Sequence, residues 1–211
     1  MIMPNSLKTN ILLLVWFVSV AFGFSTMMIH DTQPSQEAAA PLTIYKEEAQ
    51  LADDRNFTMV VFLHPRCPCS AATLDCLDRL LARPENAKKM RAVVYLVCPP
   101  GTDRGWAAPL YEKCKTLPSA RIAFDKCGRT ANKYGARSSG QVLLYSPQGE
   151  LVFSGGLTNA RGQFGESGAE LAIQEIISRK PTTMVGQSFF RHPVFGCALL
   201  NSPCRVDGGG K

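Results

Sequence analysis

The chain contains 211 residues, of which 45% are hydrophobic and 19% charged, a composition typical of a globular protein rather than a disordered one. The formal net charge of +6 comes from Lys and Arg residues scattered along the sequence, and Lys88, Lys89 and Arg91 are the one close group. A surface that binds nucleic acid concentrates its basic charge and often interleaves it with aromatic residues. The pattern therefore argues against a nucleic-acid partner and predicts a solvated surface.

An uncharged apolar segment, Ile11–Ile29, lies close to the amino terminus. Its 19 residues approach the ~20 that a helix needs to span a bilayer, and they exceed the roughly 7–15 apolar residues of a cleavable signal peptide. Lys8 precedes the segment, whereas Asp31 and Glu37 follow it, which favours a location of the remaining chain outside the cytoplasm. We predict a signal anchor, with cleavage near the small residues 38–40 as the alternative.

Four segments are predicted along the chain. Residues 1–30 form a cytoplasmic tip and the transmembrane anchor, and residues 31–43, rich in Pro, Ser, Gln and Ala, form a linker. Residues 44–180 form the globular domain. Residues 181–211 form a C-terminal extension, and its end, Asp207–Lys211, has the glycine-rich composition of a disordered tail. The chemistry is therefore expected in the single globular domain.

Apolar runs alternate with helical patterns within this domain. Phe57–Leu63 and Ala92–Val97 are continuous apolar blocks rich in Val and aromatic residues, as in strands buried on both faces of a sheet. Leu74, Leu77 and Leu81 recur between them at helical spacing, which predicts a strand, helix, strand crossover. The elements expected after it are a helix at 107–115, a strand at 121–125, a helix at 128–134, an antiparallel hairpin of 142–146 and 151–154, and a closing helix at 168–178.

Two cysteines separated by one proline, Cys67-Pro68-Cys69, lie between the first predicted strand and its helix. A thiol at a helix N-terminus or beside a cation has a lowered pKa, and the thiolate is the nucleophile in disulfide exchange. Cys67 follows Arg66 and lies at the start of the helix, and Pro68 suits a first-turn position. The pair is therefore predicted to be chemically active rather than structural.

The mixed sheet between helices, with cysteines where the first strong strand meets its helix, resembles the thioredoxin fold over residues 43–179. The stretches VVFLHPRCPCS and YGARSSGQVLLYSPQGELVFSGG carry this resemblance. HPRCPCS, SGQVLLY, FSGGLTNARG and HPVFGC together are similar to a group of exported bacterial thioredoxin-like proteins labelled RedB. The resemblance implies an α/β fold with a mixed sheet flanked by helices, and a thiol:disulfide oxidoreductase that needs no organic cofactor.

The resemblance also implies roles for individual residues. By the order in the family, Cys67 is the attacking thiol and Cys69 the thiol that resolves the mixed disulfide. The residues expected to line the site or to tune its pKa values are His64, Arg66, Pro68 and Gly140. The family motif has two residues between its cysteines and a cis-proline facing them, where this chain has one residue and Gly140. A disulfide closed across one residue is strained and easily reduced, so the pair is expected to act as an oxidant or a disulfide shuffler.

A metal site is the competing hypothesis for the same cysteines. A copper-binding chaperone of thioredoxin fold would hold Cu(I) with Cys67, Cys69 and possibly His64, since thiolates favour soft ions. Gly140 in place of proline would leave open the face from which a metal approaches. A third hypothesis is a non-catalytic binding module. An exchange enzyme should place an accessible Cys67 sulfur near a second sulfur, whereas a metallochaperone should turn His64 toward both.

The remaining six cysteines are expected to be structural for the most part, since disulfides are common in exported proteins. Cys98 and Cys127 each follow a strand at the same edge of the predicted sheet, so they are expected to form a disulfide, with a second redox pair as the alternative. The other predictions are buried helix positions for Cys76 and Cys114 and a disulfide between Cys197 and Cys204.

The connection Ser154–Ser167 is rich in glycine and longer than a turn requires, which fits a flexible surface loop and a lid or partner-binding loop equally well. Taken together, the patterns predict a single-pass inner-membrane protein with its domain in the periplasm. Its expected partners are thiols or disulfides of exported proteins, and its membrane contact is the N-terminal helix.

Overall fold

The computed structural model of the protein describes residues 5–35, 39–51, 56–102, 104–178 and 189–200. The chain divides into two compact units, Met1–Gln33 and Pro34–Lys211. The predicted disordered tail, Asp207–Lys211, lies outside the described residues, as does Cys204.

The first unit contains one helix, α1, at Asn5–Thr32. Its stretch Ser6–Thr32 is long and apolar enough to cross a membrane, judged by length and composition, and none of its most apolar window is buried by the rest of the chain. A signal sequence near an amino terminus meets the same criteria. The predicted apolar helix is therefore present, and its function as an anchor or as a signal remains a prediction.

The second unit is built from a sheet and helices on both of its faces. Its described elements are α2 Lys46–Leu51, β1 Phe57–Leu63, α3 Pro68–Ala82, α4 Pro84–Ala87, β2 Met90–Cys98, α5 Arg104–Lys115, β3 Ala120–Lys126, α6 Arg129–Lys133, β4 Gln141–Tyr145, β5 Leu151–Gly156, α7 Gly168–Ser178 and β6 Phe190–Arg191. This order confirms the predicted crossover, hairpin and closing helix. The short elements α2, α4 and β6 were not predicted, because their six, four and two residues carry too little periodicity to be distinguished from loop.

The six strands form one mixed sheet in the order β3-β2-β1-β4-β5-β6. β1 lies inside the sheet, parallel to β2 and antiparallel to β4. All seven of its residues are buried, which explains its continuous apolar sequence. Because β1 is held on both sides, the turn that follows Leu63 starts from a fixed position, and the cysteine pair lies on that turn.

Alternate residues of β1 contribute to two separate cores. Met59, Val61 and Leu63 pack with the apolar faces of α3 and α7, whereas Val60 and Phe62 pack on the opposite face with aromatic residues such as Tyr134. This alternation is the side-chain period of a strand covered on both faces. The predicted fold class, a mixed α/β sheet flanked by helices, is confirmed.

The described part of the predicted C-terminal extension packs on the domain. β6 pairs with β5, and Ser138 forms an antiparallel bridge with Ala198. Val194, Phe195 and Leu199 are buried. Residues 189–200 are therefore part of the folded domain, and they cover the end of the sheet that carries the cysteine pair.

Candidate functional site

Cys67 occupies the cap position immediately before α3. Its backbone is extended, with φ of −95° and ψ of 127°, and Pro68 follows it in the first turn of the helix. The Cys67 N–H donates to the carbonyl of His64 at 3.0 Å, and its own carbonyl accepts the N–H of Ser70 at 3.0 Å. The sulfur is thus placed at the positive end of a 15-residue helix, where a negative charge is stabilised.

Three thiols meet at this position. The sulfur atoms of Cys67, Cys69 and Cys197 all lie within 4.8 Å of one another, and all three cysteines are free. Cys67 is 6% exposed and Cys69 is 4% exposed, whereas Cys197 is exposed. A second sulfur near Cys67 was predicted and is present, but Cys67 is buried where an accessible sulfur was expected, and the participation of Cys197 was not predicted.

Backbone hydrogen bonds fix Cys197 in the site. Its carbonyl accepts the N–H of Ser139 at 2.8 Å, and the N–H of Leu199 donates to the carbonyl of Arg137 at 2.9 Å. The preceding residue, Gly196, donates its N–H to Ser35 Oγ at 3.1 Å, and its carbonyl accepts from Ser35 Oγ at 2.7 Å. Backbone hydrogen bonds to residues 137–139 and the contacts of the Ser35 hydroxyl therefore hold the segment around Cys197 in place.

Gly196 passes unusually close to the chain segment it pairs with. A Cβ built at Gly196 would lie 1.8 Å from the carbonyl oxygen of Ser139. A side chain cannot be accommodated at that distance from the backbone, so only glycine permits this approach. The glycine of the HPVFGC motif is thus required to bring Cys197 to Cys67.

Hydrogen-bond donors surround the Cys67 sulfur. The S–H of Cys69 is the largest cause that lowers the pKa of Cys67, followed by the S–H and N–H of Cys197 and the N–H of Cys69. Burial opposes them, and the result is a pKa of about 4 for Cys67. Cys67 is consequently a thiolate at neutral pH, as a nucleophile of disulfide exchange must be.

The other two thiols keep their protons. Donation to the Cys67 sulfur, together with burial and the Cys67 charge, raises the pKa of Cys69. Burial raises the pKa of Cys197, with smaller contributions from its hydrogen bond to Cys67 and from the Cys67 charge, while nearby Arg161 opposes the rise. The site therefore holds one thiolate and two thiols at neutral pH.

The pH dependence of alkylation should distinguish Cys67 from the other thiols. Because the pKa of Cys67 is lowered to about 4, its rate with iodoacetamide should stay nearly constant from pH 8 to pH 6. An unperturbed thiol of pKa about 8.5 loses reactivity roughly tenfold per pH unit over that range, and Cys197 should do the same. Peptide mass spectrometry of the labelled protein measures both rates, and a tenfold loss per unit at Cys67 would contradict a stable thiolate there.

The glycine-rich connection borders the site. Arg161 donates through Nη1 to the carbonyl of Gly196, and the N–H of Gly162 lowers the pKa of Cys69. The far end of the connection is tied to α3, because Arg79 donates to the carbonyl of Gly165 at 2.6 Å. These contacts hold the loop against the cysteines, so the loop forms part of the border of the site.

His64 and Arg66 lie beside the site: burial lowers the pKa of His64, the Cys67 charge opposes this, and the Arg66 charge adds to it. The His64 ring packs edge-on against Trp106 at 5.3 Å, and its Nδ1 accepts the N–H of Arg66 at 3.3 Å. The guanidinium of Arg66 lies over the same indole at 5.1 Å. The metal-ligand cluster of the described residues consists of Cys67, Cys69 and Cys197, and the ligand set of Cys67, Cys69 and His64 stays a prediction.

Gly140 is required by the backbone. Its φ is +90°, its N–H donates to the carbonyl of Phe62 at 2.8 Å, and an added Cβ would lie 2.8 Å from Thr73 Oγ1. The adjacent Ser139 makes the contacts to the cysteine turn, accepting the N–H of His64 at 2.9 Å and sharing a 2.7 Å hydrogen bond with Ser70 Oγ. The expected open face is covered by the segment that carries Cys197.

Substituting the family's proline for this glycine should destabilise the protein. Gly140→Pro removes the donor to Phe62 and imposes a negative φ where the chain has +90°. We expect the free energy of unfolding to fall by at least about 2 kcal/mol. Chemical denaturation measures it, with Gly168→Ala as the control because no heavy atom lies within 4 Å of a Cβ at Gly168. Unchanged stability in Gly140→Pro would contradict this explanation.

The predicted Cys98–Cys127 disulfide is wrong. Cys98 is a free, buried thiol that donates to the carbonyl of Leu96 at 3.5 Å, and Cys127 is disulfide-bonded elsewhere. The parallel register pairs Cys98 with Lys126, the last residue of β3. Cys127 lies beyond the strand, in a turn with a φ of +59°, so it is not the cross-strand partner of Cys98.

Of the remaining cysteine predictions, one is wrong and two are confirmed. Cys197 is free, so its predicted disulfide with Cys204 is wrong, and the reason is its docking beside Cys67. Cys76 and Cys114 are buried free thiols on α3 and α5, as predicted.

Comparisons with known proteins identify relatives by structure. No family model and no curated protein sequence matches the chain. A hypothetical protein from Sinorhizobium meliloti 1021 is 18% identical, with 79% of this chain and 93% of that chain covered and a TM-score of 0.54. An uncharacterized conserved protein from Geobacillus kaustophilus is 15% identical, with 82% and 94% covered and a TM-score of 0.57.

A secreted disulfide oxidoreductase of Mycobacterium tuberculosis, homologous to DsbE of E. coli, also matches. It is 13% identical, with 58% of this chain and 81% of that chain covered and a TM-score of 0.42. At these identities the likenesses concern the fold. The resemblance to the RedB group stays a prediction.

Proposed function

We propose that this protein, whose globular domain has a thioredoxin-like fold, is a membrane-anchored thiol:disulfide oxidoreductase that acts on exported proteins. The observation that carries the proposal is a Cys67 thiolate, capping α3, with two further thiols within 4.8 Å. The thiolate attacks a sulfur of a partner disulfide, and an adjacent thiol of this chain then displaces the partner from Cys67. The chemistry uses side-chain sulfur alone and needs no organic cofactor.

The proposed location outside the cytoplasm has two supports. The N-terminal helix α1 is apolar and long enough to span a membrane. Cys127 is disulfide-bonded, and disulfides persist in oxidising compartments. An inner-membrane anchor with the domain in the periplasm accounts for both.

The activity is tested with the full-length protein in detergent. Two assays cover both directions of electron flow: reduction of insulin disulfides by dithiothreitol, and oxidation of a dithiol peptide by oxidised glutathione. Exchange at Cys67 predicts acceleration of at least one reaction above the small thiol alone. Acceleration of neither reaction, by protein whose Cys67 alkylates as a free thiol, would contradict the proposal.

A soft-metal site is the second candidate function, and the three-sulfur cluster is the observation that favours it. Cys67, Cys69 and Cys197 offer three thiolates, the ligand type that Cu(I) prefers. Bound copper would require Cys69 and Cys197 to lose the protons they hold at neutral pH. Titration of the reduced protein with Cu(I) against a competing chelator tests this function, and a stoichiometric complex that is lost in Cys197→Ser would support it.

The same protein sample separates the candidates. Exchange activity without copper binding supports the oxidoreductase, and copper binding without exchange supports the metal site. If the sample shows neither exchange activity nor copper binding, the third hypothesis remains, a binding module that retains the fold without its chemistry.

A further inference from the structure

The geometry points to Cys197 as the thiol that resolves the mixed disulfide on Cys67, with Cys69 serving to hold the Cys67 thiolate. We infer that the oxidised form of the enzyme is a Cys67–Cys197 disulfide, joining residues 130 positions apart in the sequence. The inference rests on the proposed exchange function and names the second thiol that this function requires.

Cys197 is within reach of Cys67 and firmly positioned. Its sulfur belongs to the cluster whose members lie within 4.8 Å of one another. The segment that carries it is fixed by the Ser139 and Leu199 backbone hydrogen bonds, at 2.8 and 2.9 Å, and by the buried side chains of Val194 and Phe195. A disulfide needs a distance of about 2 Å between the two sulfurs, so the two cysteine side chains must turn toward each other.

Cys69 is the less suitable partner for a disulfide. It lies in the first turn of α3 with only Pro68 between it and Cys67, and Pro68 fixes one of the few backbone angles that could adjust. A disulfide closed across one residue forms a small ring, in which the required distances and dihedral angle are hard to satisfy. The Cys67–Cys197 bond joins two residues that the fold already brings together, and no small ring is formed.

Accessibility also distinguishes the two thiols. Cys69 is 4% exposed, and its S–H and N–H donate toward the Cys67 thiolate. Cys197 is exposed. An enzyme disulfide that includes Cys197 therefore presents an exposed cysteine to a further partner, whereas both members of a Cys67–Cys69 disulfide would be buried.

The exchange takes place in two steps, in which atoms and electrons balance. The Cys67 thiolate attacks one sulfur of a partner disulfide, forming a Cys67–partner bond and releasing the other partner sulfur as a thiolate, which takes a proton from solvent. Cys197 then gives its proton to solvent and attacks the Cys67 sulfur, releasing the second partner sulfur as a thiolate. The partner disulfide gains two electrons, and the two enzyme thiols lose two.

The change of charge at Cys67 favours the second step. Once Cys67 is in a mixed disulfide, its negative charge no longer raises the pKa of Cys197, while Arg161 still lowers it. Arg161 is held beside Cys197 by its hydrogen bond to the carbonyl of Gly196. Loss of the Cys67 charge therefore eases deprotonation of Cys197 in the second step, while burial, the largest cause of its raised pKa, still acts.

The test follows oxidised glutathione reacting with the reduced full-length protein, with acid quenching and peptide mass spectrometry. The wild type should end with Cys67 linked to Cys197. Cys69→Ser should do the same, because a serine hydroxyl can still donate to the Cys67 sulfur. Cys197→Ser should retain glutathione on Cys67 for at least about tenfold longer than the wild type.

Two results would overturn the inference. One is a Cys67–Cys69 linkage as the main wild-type product. Another is clearance of glutathione at the wild-type rate in Cys197→Ser together with retention in Cys69→Ser. Absence of glutathione on Cys67 in every variant would instead contradict the proposed exchange function, on which the inference rests. The wild-type linkage is read without any substitution, so a variant that fails to fold does not decide the outcome.

Discussion

Cys67→Ser should abolish thiol:disulfide exchange by this protein, with the rate reduced by at least about 10³-fold. The reason is the chemistry of the capping position. The donors from Cys69 and Cys197 and the helix end stabilise a thiolate there. A serine hydroxyl at the same position stays protonated and forms no disulfide. Insulin reduction and dithiol oxidation assays measure the loss.

Cys98→Ser is the matched control for that substitution. Cys98 is also a free, buried cysteine, and its S–H donates to a backbone carbonyl, a hydrogen bond that serine can keep. Exchange should therefore be retained in Cys98→Ser. Residual exchange above about a tenth of the wild-type rate in Cys67→Ser would assign the nucleophile to another cysteine.

The second large effect is expected from Gly196→Ala, which adds one methyl group at a position far from Cys67 in the sequence. Gly196→Ala places a Cβ 1.8 Å from the carbonyl oxygen of Ser139, so the two segments must separate. The hydrogen bond from the Ser139 N–H to the Cys197 carbonyl would be lost with that separation. We expect the free energy of unfolding to fall by about 1–3 kcal/mol. Alkylation of Cys67 should also become faster, because its 6% exposure should increase.

Gly168→Ala supplies the control, since a Cβ there meets no heavy atom within 4 Å. Its stability and its Cys67 alkylation rate should match those of the wild type. If Gly196→Ala alkylates at the wild-type rate and unfolds at the wild-type denaturant concentration, the docking of the C-terminal segment does not shield Cys67.

The position of the cysteine pair could be predicted because it follows from local sequence. The apolar block Phe57–Leu63 and the leucine spacing of α3 define a strand and a helix, and Cys67 lies between them. The sheet around β1 followed from the same kind of pattern. These features depend on neighbouring residues, so a single sequence contains them.

The third thiol could not be predicted in the same way. Cys197 reaches the site through pairing of residues 197–199 with 137–139, and no local period specifies which segments pair at such separation. The signal in the sequence was the glycine before Cys197, whose lack of a side chain permits the close approach to Ser139. Without the fold, that glycine is indistinguishable from a turn residue.

The error at Cys98 and Cys127 has a different cause. Both cysteines do follow adjacent parallel strands, and the Cys127 N–H donates to the Cys98 carbonyl at 2.9 Å. Sequence alone does not show where a strand stops, however: β3 ends at Lys126, and Cys127 lies in the turn after it with a φ of +59°. The backbones of the two cysteines are neighbours, but this does not make their sulfur atoms partners.

Equilibration of the full-length protein with glutathione buffers of stepped redox ratio tests exchange at Cys67 most directly. Samples are quenched with acid, alkylated and weighed by mass spectrometry to count free thiols at each ratio. Exchange at Cys67 predicts a single two-electron transition in which two alkylation sites disappear together, one of them Cys67. Full alkylation of Cys67 in every buffer, from the most reducing to the most oxidising, would contradict it.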